Sequence, residues 1–263
     1  MATEQAIRRR RGAVVLAGLV FALALGCSRG PDRATTPSSV PPMPPFAPTT
    51  TSEAPAPLEP EPGTTFAAEA VVDELTVFSD PQLATPSTTL DNPTDVGAPL
   101  VLLVKSGPTD EGALEVYLPV RPNGSSGWVR ASDVEVRLNP YRVEVDLSDF
   151  RLRLYESGRE VLSEAVGLGR ADVPTPGGVF YIKELLQPPD PDGPYGPYAY
   201  GLSGFSNVLT SFGGGDGVIG IHGTNDPSSI GVASSHGCIR LPNDVITRLV
   251  EILPLGTPVE IEA

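Results

Sequence analysis

Polar and apolar residues alternate over Arg142–Leu147 and again over Arg151–Tyr155. Side chains leave a strand on opposite faces with a period of two, so each stretch predicts a strand with one buried face. Glu156-Ser157-Gly158 predicts the turn that follows, and Val161–Val166 a third strand, so the region opens as a β meander. Val179–Ile182, after the Pro174–Gly178 punctuation, Val218–Ile221 and Pro258–Ile261 predict further short strands. One helix is predicted from Asn243, a favourable N-cap, with Val245, Ile246, Leu249, Val250 and Leu253 as its buried stripe and Pro254 and Gly256 ending it. Residues 187–204 (QPPDPDGPYGPYAYGLSG) predict an irregular loop, long enough to serve as a lid.

Upstream, short apolar runs recur at Ala70–Val72, Leu75–Phe78, Leu100–Val104, Leu114–Leu118 and Trp128–Val129. Turn signals separate them at Ser79-Asp80-Pro81, Asp91-Asn92-Pro93, Ser106-Gly107-Pro108 and Asn123-Gly124. This predicts a small β domain over residues 66–138. The segment GWVRASDV at 127–134 resembles the closing strand and turn of bacterial SH3-like envelope domains. A lone Trp in a small β domain is more often core than ligand platform, so Trp128 is assigned to the core. The fold class predicted for the chain is mainly β, with one main helix.

Residues 28–65 are rich in Pro, Thr, Ser and Ala and cannot bury enough apolar surface to offset the entropy of ordering. A Pro-rich tether of this length reaches roughly 100 Å at ~3.1 Å per residue. Residues 1–27 read as an export signal: Arg8–Arg11 form a basic region, Gly12–Leu25 an apolar core too short for a comfortable membrane helix, and Gly26 precedes Cys27. The run LALGC resembles a bacterial lipobox, which implies acylation of Cys27 and a membrane contact through lipid. Simple secretion and an uncleaved helix are the alternatives. The expected location is the cell envelope, on the outer face of the cytoplasmic membrane.

Gly and Pro number 28 and 30, which favours loops and strands over helix bundles. The formal charge is −14; loss of the first 26 residues leaves 14 basic and 31 acidic residues, a charge of −17. Binding phosphates needs a basic surface, so nucleic acid is excluded as a partner. There are only two Cys and two His. Cys27 lies at the processing point before the tether, a poor place for a structural bridge, which makes Cys238 a free thiol in an exported chain.

Both His residues and Cys238 fall in one short window, IHGT at 221–224 and SSHGCIRLPN at 234–243. A thiol needs a base within reach to act as a nucleophile, and the base needs a partner that fixes its tautomer. His222, returning across a loop, is the candidate base. In a turn, the peptide groups of His236, Gly237 and Cys238 can converge as an oxyanion hole. Two other readings stay open: zinc held by His222, His236 and Cys238, and a purely structural cluster.

The pattern His222, then Ser235-His236-Gly237-Cys238 with Arg240 and Asn243 after it, resembles the L,D-transpeptidase family, as do the opening meander and TPGGVF at 175–180. The resemblance covers residues 141–263. It implies a β-sandwich or barrel catalytic domain without cofactor or metal, acting on donor and acceptor stem peptides of the peptidoglycan polymer and acylated by carbapenems. It implies Cys238 as nucleophile, held as a thiolate by His222, with Gly223 orienting the imidazole through its carbonyl. Ser235, Arg240, Tyr198 and Tyr200, with Tyr195 beside them, are the candidate substrate contacts. For Arg240 the alternative is a salt bridge that pins the loop. An L,D-carboxypeptidase, with water in place of the amine, and a non-catalytic wall-binding protein are the competing functions.

Overall fold

The computed structural model describes residue 58 and residues 60–211 and 215–263. The export signal, Cys27 and the tether up to residue 57 lie outside the described residues. The tether is expected to run to residue 65, but ordered structure starts earlier. Leu58 packs on the first core, and the Thr64 hydroxyl donates to the Glu61 carbonyl at 2.9 Å.

The first sheet has seven strands: β1 (Thr65–Ala70), β2 (Glu74–Phe78), β3 (Pro86–Asp91), β4 (Val101–Ser106), β5 (Ala113–Tyr117), β6 (Ser126–Arg130) and β7 (Val134–Asn139). They lie in the order β3-β2-β6-β5-β4-β1-β7. Alternation puts Leu75, Val77, Leu114, Val116 and Val129 inside. Trp128 is not core, against expectation. Its neighbours Gly127 and Val129 are buried, so period two turns Trp128 to the other face, where it is half-buried. The sequence pattern also misses β3, whose PSTTLD has no apolar alternation because it is an exposed edge strand.

The second sheet opens with the predicted meander: β8 (Tyr141–Asp146), β9 (Arg151–Glu156) and β10 (Arg159–Ala165), all antiparallel. Then follow β11 (Leu168–Gly169), β12 (Gly178–Leu186), β13 (Ala199–Phe205), β14 (Val218–His222), β15 (Ala233–Ser235), β16 (Ile239–Arg240), helix α1 (Asn243–Val250) and β17 (Pro258–Glu262). Eight strands make one sheet in the order β10-β9-β8-β17-β12-β13-β14-β16, while β11 and β15 pair separately. Strand β12 changes partner along its length, from β17 over 178–181 to β13 from Ile182 onward. This gives a β-sandwich-like core covered by one helix, whose Val245, Ile246 and Leu249 face inward.

Two expectations are corrected here. The irregular segment ends at residue 198, because 199–205 form β13. This strand is buried on both faces, so AYGLSGF lacks alternation, and its glycines mark close packing: a Cβ on Gly204 would collide with the Phe180 ring. Asn243 is not the N-cap either. Pro242 holds that position with no side-chain cap, and Asn243 is the first helical residue, its Oδ1 accepting from the Thr224 amide at 2.8 Å.

The two sheets meet along a seam. Tyr181 of β12 is fully buried and completes the core of the first sheet. The Arg121 guanidinium donates to the carbonyls of Ser206, Leu209 and Asp216 at 2.9, 3.1 and 2.9 Å. It also lies over the Phe205 ring, 4.7 Å from its centroid. The Asn123 amide pairs with the Phe205 backbone, donating at 2.8 Å and accepting at 2.9 Å.

Candidate active site

Strand β14 carries His222 at its end, and β16 runs parallel beside it with Ile221 opposite Ile239 and His222 opposite Arg240. The buried Ile219, Ile221 and Ile239 fix this register, since a slip of one residue would turn them out of the core. Between β15 and β16 the chain makes the turn that carries Cys238. Ser235 ties it: the hydroxyl donates to the Cys238 carbonyl at 2.6 Å and accepts from the Gly237 amide at 3.1 Å. Gly237 sits at φ +109°, a region side chains disfavour, so the backbone angle and not lack of space demands glycine. Pro194, Tyr195, His222, Ser235, His236, Cys238 and Arg240 line one pocket of about 170 Å³.

His222 is 5% exposed and its Nδ1 lies 2.5 Å from the Gly223 carbonyl. A carbonyl only accepts, so Nδ1 carries the hydrogen and Nε2 is left with its lone pair. Burial pushes the His222 pKa down to about 4; the Gly223 carbonyl opposes this and the Arg240 charge adds to it. Part of Cys238 reaches the pocket surface, while dense surrounding protein pushes its thiol pKa up, against a Gly220 backbone hydrogen bond and the Arg240 charge. At neutral pH both groups are therefore neutral. Desolvation thus opposes both charges of the thiolate–imidazolium pair expected from the sequence.

Other predicted residues fall into place unevenly. The Gly237 amide is committed to Ser235, and the Ser235 hydroxyl to the turn, so neither is directed at a substrate. The Nε2 of His236 accepts from Arg170 at 2.8 Å, a partner 66 residues away that no sequence signal marks. Arg240 makes no salt bridge among the described residues. One guanidinium nitrogen donates to Ser234 Oγ at 3.4 Å, and its buried Nε has no partner. Tyr200 is not a groove residue: it is 1% exposed, and its hydroxyl donates to the Leu249 and Leu253 carbonyls at 3.0 and 3.3 Å. Tyr198 packs on the core. Tyr195 is the tyrosine that reaches the pocket, its ring edge-on to His222 at 4.9 Å. No group of three or more His, Cys, Asp or Glu among the described residues is placed to hold a metal ion.

Residues 140–261 match the YkuD family model, described as the L,D-transpeptidase catalytic domain. The chain is 42% identical over 122 residues to YkuD of Bacillus licheniformis and 36% identical over 122 residues to YkuD of Bacillus subtilis, each bearing the L,D-transpeptidase name. Each match covers 46% of this chain and 66% of the relative, just under two thirds of its length. Among solved structures, the catalytic domain of the E. faecium L,D-transpeptidase is 25% identical, with a TM-score of 0.34 over 46% of this chain and 96% of that one. Residues 140–261 are thus similar to L,D-transpeptidase catalytic domains of the YkuD type.

Proposed function

We propose that the protein is a cysteine-dependent L,D-transpeptidase that cross-links peptidoglycan stem peptides. The observation that carries this reading is that Cys238 and a neutral, tautomer-fixed His222 line one small pocket with the unpaired cation Arg240. With both groups neutral, the proton moves during attack. As Cys238 Sγ bonds to the carbonyl carbon of the third stem residue, its proton passes to His222 Nε2. The C–N bond to the terminal D-Ala then breaks, and the imidazolium returns the proton to the leaving amine. The thioester is attacked by a side-chain amine of a second stem. That amine gives its proton to His222, and the thiol departs by recovering it. The Cys238 amide stabilises the tetrahedral oxyanion, since the Gly237 amide is engaged by Ser235. Arg240 pairs with a donor carboxylate, the ligand that best satisfies a guanidinium whose buried Nε has no partner. Tyr195 walls the donor side.

The test is intact-mass spectrometry of the protein after incubation with a carbapenem, with Cys238→Ala as control. One drug mass on the wild type alone is the expected result; no adduct on folded protein overturns the reading. The sequence of residues 1–27 supports export and lipid anchoring through Cys27. Labelling of the expressed chain with an alkynyl fatty acid, lost in Cys27→Ser, checks the anchor.

A further inference from the structure

Two imidazoles line the active-site pocket, and the fold treats them differently. His222 holds its hydrogen on Nδ1, against the Gly223 carbonyl, and keeps the lone pair on Nε2. The Nε2 of His236 lies 2.8 Å from an Arg170 guanidinium nitrogen, and a guanidinium carries donors only. Arg170 therefore takes up the His236 lone pair, and the ring hydrogen of His236 sits on Nδ1.

Arg170 is itself held from three directions. Its Nε donates to Asp172 Oδ1 at 2.7 Å, its amide donates to the Ser235 carbonyl at 3.1 Å, and its carbonyl accepts from the Val173 amide at 2.9 Å. The chain before it is seated as firmly. Strand β11 pairs in parallel with β15, the Gly169 amide donates to Thr175 Oγ1 at 2.9 Å, and a Cβ on Gly169 would collide with the Val173 carbonyl. Arg170 thus grips the turn that carries Cys238 twice, by main chain at Ser235 and by side chain at His236. The Asp172 side chain is 69% exposed, so the ion pair adds little stability; its effect is to aim the guanidinium.

We infer that Arg170 is a positioning residue of the active site: it fixes His236 in the Nδ1–H tautomer and so leaves His222 as the one imidazole able to take the Cys238 proton. The inference rests on the proposed acyl transfer through Cys238. Without the guanidinium, His236 Nε2 regains a free lone pair two residues from the thiol, and its ring can turn across a pocket of about 170 Å³. Small misplacements beside reacting atoms are costly in rate.

The chain has only two His, so a two-bond ¹H–¹⁵N spectrum of the full chain labelled with ¹⁵N-histidine reads both rings, and loss of one set of signals in His236→Gln assigns them. Two Nδ1–H rings are expected in the wild type. In Arg170→Met the His236 ring should pass to the Nε2–H form, and Arg170→Lys, which keeps a donor, should hold it as in the wild type. Carbapenem acylation of Cys238, followed by intact mass, should slow about tenfold in Arg170→Met and recover most of its rate in Arg170→Lys. Arg170→Met should add nothing once His236 is replaced by Gln, because the two residues act through one contact. An Nε2–H ring at His236 in the wild type, a wild-type acylation rate in Arg170→Met, or an undiminished effect of Arg170→Met on top of His236→Gln overturns the inference. Should His236→Gln fail to fold, the tautomer change in Arg170→Met and the lysine rescue decide. A folded wild type that takes no drug mass overturns the transpeptidase reading alone; the ring spectrum needs no acylation and still decides whether Arg170 fixes His236.

Discussion

Arg121→Ala removes the strongest polar tie between the first sheet and the segment leading to His222. The guanidinium makes three hydrogen bonds to carbonyls and lies over the Phe205 ring. The Ser206 carbonyl is partly buried and worth most; the other two are exposed and worth little. Hydrogen bonds from a charged donor and a part-exposed cation–π contact together give about 2–3 kcal/mol. In a folded unit of this size that lowers Tm by roughly 5–10 °C. Calorimetry of the full chain reads the stability, and hydrogen exchange reads where it is lost. Protection should fall over 205–211 and along β14, because the Ser206 amide donates to the Gly217 carbonyl and Phe205 pairs with Val218. Arg121→Lys, which cannot reach three carbonyls at once, should recover only part. A Tm within 1 °C of wild type, or exchange unchanged along β14, would refute the reasoning.

Other predictions address the site itself. Gly237→Ala forces a side chain onto φ +109°, at roughly 1–3 kcal/mol of strain, and should slow carbapenem acylation of Cys238 tenfold or more by mass spectrometry. Tyr200→Phe should cost about 1 kcal/mol in denaturant melts and leave acylation unchanged, whereas Tyr195→Ala should slow acylation with little change in stability. Since burial raises the Cys238 thiol, iodoacetamide alkylation should be slow near neutrality and keep climbing through pH 9; a plateau below pH 7 would show a preformed thiolate. The depressed His222 pKa means the folded state resists a proton that the unfolded chain accepts. That stability is whole above about pH 6.5 and lost as pH falls toward 4, by on the order of 3 kcal/mol, and a His222→Gln variant should show a flatter pH–Tm profile.

The sequence displays the outer strands clearly. Tyr141–Asp146 and Arg151–Glu156 each have one wet face, and alternation follows from that. It hides β13, because a strand buried on both sides needs no polar partner at every second position, and its glycines imitate a loop. The same masking misplaces Tyr200, whose neighbours in sequence look like a lid while its side chain reaches under the helix to Leu249. The Cys238 turn was legible because Ser, His, Gly and Cys are consecutive and a glycine there has one evident use. Protonation was not. The states of Cys238 and His222 depend on how much protein surrounds them, a quantity local sequence does not carry. Arg170 beside His236 and Asn243 under Thr224 are contacts made by the closed fold alone.

Tyr181 bears on how such a chain can be recombined. By chain position it belongs with the catalytic strands, yet it fills the heart of the upstream sheet. A cut near Pro140 would leave one fragment with a hole and the other with a bare aromatic ring. A graft that replaces the upstream sheet must therefore bring a matching residue 181, seated inside the downstream half. The unit that can be exchanged intact is the pair of sheets, not either segment of sequence.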